Sequence, residues 1–179
     1  MTRMIDRLLR RTSDPRDALN PLWHGVVIEA RAPHWYVAGA VPDTLDGRFD
    51  MVALVMSLVL LRIEDSPGHA QEAAWLTELF VADMDSQMRQ IGFGDMIVGK
   101  QIGRVMSALG GRLGAYRAGF NDPEMLDAAL VRNLWRSEAP EAAALAHVAA
   151  AVRALHAALA ATPVADLLAG STLPRATAA

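Results

Sequence analysis

The chain of 179 residues contains no cysteine, a single lysine at Lys100, and aromatic side chains at only 6% of its positions. Without cysteine there can be no disulfide, thiol nucleophile, Cys-ligated zinc or iron-sulfur cluster. Charge of either sign is never concentrated: 17 basic and 20 acidic residues leave a net charge of −3, and no five like charges adjoin. Sequence-independent nucleic-acid binding needs a dense basic footprint, so no specific nucleic-acid partner is expected. Long hydrophobic runs are missing too. The longest, Phe49 to Ile63, is broken by Asp50, Ser57 and Arg62. As a helix it would cover about 22 Å of a hydrocarbon core about 30 Å thick, so it reads as a buried helix. The basic start, Met1 to Arg11, lacks an apolar h-region and a cleavage site, and a cytoplasmic location is expected.

What is present is apolar: 53% hydrophobic residues against 21% charged, which excludes disorder as the main state. The length suits one domain able to bury about 70% of its extended surface. Helical spacing recurs throughout, and alternation of the strand kind is weak and confined to His34–Val37. The expectation is an all-α, single-domain irregular bundle of about six to seven helices. Residues 1–12 read as a short basic amphipathic arm, 13–162 as the helical domain, and 163–179 as a partly disordered tail. Asp14 before Pro15 opens a helix to about Ala30 that Pro21 divides. Residues 31–45, with Pro33, Gly39 and Pro42, read as a connector, and Asp43 or Thr44 caps a helix ending near Glu64. Further helices are predicted over about 69–91, from Asp95 to 116 or 120, over 123–135, and over an alanine-rich stretch after Pro140.

Candidate chemistry is sparse. Gly94-Asp-Met-Ile-Val-Gly99-Lys100 satisfies part of a phosphate-binding loop, but Gln101 stands where Ser or Thr would coordinate magnesium, and a helical pattern leads in where a strand is required. A nucleotide-binding protein built on Gly94–Lys100 is the alternative this motif keeps open. The five histidines show no metal-ligand spacing, so no cofactor or metal is expected. Asp83, Asp85 and Asp95 are the densest acidic group, but Asp83 and Asp85 diverge by about 200° around a helix and cannot converge on one substrate. No enzymatic site emerges.

The helix after Asp95 is more informative. Gly99, Gly103, Ser107, Gly110 and Gly114 fall at spacings of 4, 4, 3 and 4 and make one face almost free of side chains. Each glycine costs about 0.8 to 1 kcal/mol relative to alanine, so something is expected to approach closely. Two readings stand: the helix over 49–63 packs its backbone there, or the groove receives a partner helix. Lys100, Arg104 and Arg112 run beside that face, either as a solvated side or as a partner contact. The arginines of residues 1–11 suit weak, reversible contact with an anionic membrane.

Three stretches taken together resemble the ubiquinol-cytochrome c chaperone family. They are Val41-Pro-Asp-Thr-Leu-Asp-Gly-Arg-Phe-Asp50; Leu79-Phe80 with Asp83-Met-Asp85 and Arg89; and Gly92-Phe-Gly-Asp95, Val98-Gly-Lys100, Gly111-Arg112 and Ala115-Tyr116. Their order across roughly residues 20–120 carries the match. The chain departs from the family pattern at Ala108-Leu-Gly110, where an aromatic pair is usual before Gly-Arg. The resemblance implies a helical, non-enzymatic assembly factor that binds newly made cytochrome b and helps it into respiratory complex III. It also implies a ribosome or small co-chaperone as partner, and work at the cytoplasmic face of the bacterial inner membrane. The positions implied for partner binding are Asp43, Arg48, Asp83, Asp85, Asp95, Lys100, Arg112 and Tyr116, joined by Gly99, Gly103, Arg104 and Gly110 from the glycine face. Met84, Met88, Met96 and Met106 are candidates to line an adaptable client cleft. A helical scaffold with another client is the remaining alternative.

Overall fold

A computed structural model of the chain describes residues 14–90, 92, 95–170 and 173–176, with residues 95–98 described by their backbone alone. The arm expected over residues 1–12 lies outside the described residues. No strand occurs among those described, and the all-α single-domain expectation holds.

Asp14 caps a short 3-10 turn over Pro15–Leu19, its carboxylate accepting from the Arg16 backbone N–H at 3.0 Å. Pro21 then falls in the first turn of α1 (Asn20–Ala30), so the proline does divide the segment. The connector is less irregular than expected. Pro33 occupies a helix start, and Pro33–Val37 forms the short α2 where weak strand alternation was read. The indole N–H of Trp35 donates to the Glu29 carbonyl at 2.9 Å, which folds α2 back onto the end of α1.

Thr44, not Asp43, caps α3 (Leu45–Glu64) by accepting from the Gly47 N–H. Every residue from Asp50 to Leu61 is buried, as expected of a helix that is apolar on all sides. This helix is the axis of the molecule: α1, α4 (Ala70–Gln90), α5 (Asp95–Gly119), α6 (Pro123–Leu134) and α7 (Ala142–Ala161) all pack against it. Along α4 the predicted stripe is observed, with Leu76, Phe80 and Met84 buried and Met88 partly so. The α5 stripe likewise turns Val105, Leu109 and Tyr116 inward.

Helix α7 is apolar and long enough to cross a membrane by length and composition, but Val148, Val152, Leu155 and Leu159 are fully buried in the bundle. Arg62 fixes its C-terminal end, donating to the carbonyls of Leu159 at 2.9 Å and Thr162 at 3.0 Å. Within residues 163–179, read as a partly disordered tail, Val164–Leu168 forms α8, and Leu173 and Ala176 are buried, with the Ala176 N–H donating to the buried Glu29 carboxylate at 3.1 Å.

Candidate functional site

The N-terminal half of α3, the C-terminal half of α4 and the early turns of α5 enclose an apolar cleft of about 370 Å³, walled by Phe49, Val52, Met84, Met88 and Val105. Polar groups stand only at its edge, where Arg31, Asp46, Gln87 and Gln101 join Leu45. Leu45, on this rim, is 59% exposed. Met84 and Met88 are one turn apart, and their unbranched thioethers can repack around different apolar shapes.

The wall has a charged foundation. Asp50, on the turn after Phe49, forms a buried ion pair with Arg112 of α5, whose guanidinium also lies 5.4 Å from the Phe49 ring centre. Burial pushes the Asp50 carboxyl up to about 6, against the pull of Arg112. Phe49 leans on Phe80 at 6.2 Å between ring centres, and Phe80 meets Trp23 edge-on at 5.9 Å. The cleft wall is therefore held from behind by an aromatic cluster and an ion pair.

The expected partner residues separate into distinct groups. Arg112 does not run along an outer side with Lys100 and Arg104; it points inward to Asp50, because it falls three residues after buried Leu109 and four before buried Tyr116. Tyr116 is fully buried, its hydroxyl near Asn133 without hydrogen-bond geometry, and burial raises its pKa. Both side chains are turned into the bundle. Lys100 and Arg104 are exposed as anticipated. Asp83 accepts from Gln87 at 2.9 Å while Asp85 pairs with Arg89 at 2.7 Å, so the two aspartates do diverge. The side chain of Asp95 and that of Met96 lie outside the described residues. Met106 is 39% exposed and away from the cleft.

Asp43 and Arg48 form an exposed pair, Nε donating to Oδ1 at 2.5 Å, and this hydrogen bond holds the Asp43 carboxyl below its usual range. They border a second depression, about 380 Å³, with Pro33, Tyr36 and Val37. Arg31 lines both depressions and had drawn no attention in the sequence.

The glycine face overturns the packing expectation. A Cβ built on Gly99, Gly103, Gly110 or Gly114 would meet nothing within 4 Å, so α3 does not pack there. The stripe faces outward because the apolar stripe of α5 occupies the opposite side of the same helix. Asp95–Lys100 is the start of α5, and the described element that precedes it in the chain is the helix α4 and not the strand that a phosphate loop requires. Among the described residues no group of three His, Cys, Asp or Glu is placed to hold a metal. The bundle does bring together one histidine pair that the sequence could not reveal: His34 Nδ1 lies 3.1 Å from His147 Nε2, and burial first, then His147, lowers the pKa of His34.

A helical bundle that opens a methionine-lined apolar cleft is a scaffold suited to holding another polypeptide, and comparison places it among chaperones. The sequence matches the ubiquinol-cytochrome C chaperone family over residues 38–175, and the chain belongs to that family. Its structure is similar to the crystal structure of the Cbp3 homolog from Brucella abortus, with a TM-score of 0.77 and 30% sequence identity over 93% of this chain and 94% of the other. No curated protein matches the sequence. The match extends well past residue 120, where the resemblance in the sequence ended. By class, the chain is an assembly chaperone of ubiquinol-cytochrome c reductase, respiratory complex III.

Proposed function

We propose that the protein is a non-enzymatic chaperone that binds newly made cytochrome b through the cleft between α3, α4 and α5 and passes it into complex III. The observation that carries this reading is the cleft itself, open, apolar and lined by Met84 and Met88 within the family-matched residues. A membrane helix outside lipid exposes a stripe of apolar side chains, and burying these against an adaptable wall removes apolar surface from water. On this reading the protein works at the cytoplasmic face of the inner membrane, with residues 1–11 as a weak anionic-lipid contact and a ribosome or small co-chaperone as further partner.

The test is affinity capture of tagged protein from mildly solubilised native cells, with mass spectrometry of what accompanies it. Enrichment of cytochrome b by the wild type, lost in a Met88→Glu variant of unchanged circular dichroism, is the expected result. Capture of cytochrome b that is indifferent to Met88→Glu would place the client elsewhere. Clean capture without cytochrome b would overturn the client assignment.

A further inference from the structure

Arg31 sits at the C-terminal end of α1, on the rim shared by the apolar cleft and the second depression. The carboxylates that line these walls are already engaged. Asp43 is held by Arg48, and Asp46 by Arg136 at 2.8 Å. Asp50, underneath, is held by Arg112. Gln87 and Gln101 on the remaining rim carry no charge. Arg31 forms no ion pair among the described residues; its guanidinium stands beside the Tyr36 phenol and senses Asp43 only from beyond ion-pair distance. It is thus a cation left over on an otherwise balanced rim, flanked by two exposed apolar side chains, Leu45 at 59% and Val37 at 82%.

We propose that the two depressions form one docking surface for an amphipathic helix of a partner protein, with the apolar face in the cleft and a flanking carboxylate on Arg31. This rests on the chaperone reading and adds the chemistry of the bound segment. A helix seated in a groove presents apolar side chains at i, i+3, i+4 and i+7, which a wall with methionines one turn apart accepts without fixed register. The planar guanidinium then takes a carboxylate in fork geometry and fixes direction. A segment with a cation at that place meets Arg31 with like charge, so the surface selects against basic helices.

Fluorescence anisotropy with the full chain tests this, using a labelled synthetic peptide with a leucine stripe flanked by glutamates and a second in which lysines replace them. The acidic peptide is expected to bind the wild type and to weaken by about tenfold in Arg31→Glu, with Arg31→Gln intermediate. The lysine peptide is expected to regain affinity on Arg31→Glu. Arg31 is exposed, and circular dichroism of both variants checks that the fold is kept. Equal binding of the acidic peptide to wild type and Arg31→Glu would overturn the proposal. So would peptide binding that survives Met88→Glu, or self-association of the chain that Arg31→Glu abolishes, which would assign the surface to a second copy. If neither peptide binds while cytochrome b is still captured from cells, the proposal fails and the chaperone reading stands; if cytochrome b is not captured either, both fail.

Discussion

Asp50 and Arg112 form the buried ion pair behind the cleft wall. Removing Arg112 would leave an ionised carboxylate alone in the interior, so Arg112→Ala is expected to lower the unfolding free energy by about 3 kcal/mol at neutral pH. Urea denaturation measures it, and a loss below about 1 kcal/mol would mean that the pair is not buried in solution. The raised pKa of Asp50 has a pH signature. Because its folded value, about 6, lies above the ordinary 3.8, the folded chain keeps a proton that the unfolded chain has already released. The stability this contributes is complete below about pH 4 and is lost as pH rises through 6. Wild type should therefore lose about 3 kcal/mol relative to Asp50→Asn between about pH 3 and 7. Denaturation midpoints of the two proteins across that range supply the difference, in which the other carboxylates cancel. The pair was half legible in the sequence. A carboxylate inside an apolar run needs a partner, but Arg112 was read as running beside the glycine face, and nothing in a linear sequence joins positions 62 apart. The contact of His34 with His147, 113 apart, had no signal at all.

At the scale of elements, periodicity reported the long helices correctly because each buries one continuous stripe or, for α3, every side. It failed at α2, where Pro33, Gly39 and Pro42 looked like breakers although Pro33 fits a helix start. It also misjudged the glycine face. Spacing shows that glycines share a side, but not whether a neighbour covers it. With nothing within 4 Å of the Cβ positions, Gly103→Ala and Gly110→Ala should each stabilise the chain by about 0.5 to 1 kcal/mol, through helix propensity and a less flexible unfolded state. Thermal unfolding checks this, and a fall in melting temperature would show the face to be packed. Gly47 is the opposite case. A Cβ there would stand 1.9 Å from the Pro42 carbonyl, where the chain entering α3 crosses its first turn. Gly47→Ala should cost about 2 kcal/mol or more, read by the same melting experiment, because backbone must move to admit the methyl group.

For the whole molecule, the bundle built around α3 carries an open apolar wall on its surface. Phe49 faces the cleft while Asp50 and Arg112 sit behind it, so a change in the ion pair should also be felt by whatever occupies the cleft. Of the residues that carried the resemblance, Asp43 and Asp85 form ion pairs near the surface, and Arg112 and Tyr116 are turned into the bundle. The cleft wall is instead formed by ordinary apolar residues, which no motif distinguishes from core. Their meaning depends on which side of a helix the bundle leaves uncovered.

The central claim is that this cleft holds cytochrome b, and site-specific photo-cross-linking in native cells addresses it most directly. With a photoreactive side chain in place of Leu45 on the rim, a cross-link to cytochrome b is predicted, whereas the same group at exposed Met125 on α6 should give none. Cross-linking of cytochrome b from Met125 and not from Leu45 would contradict the account.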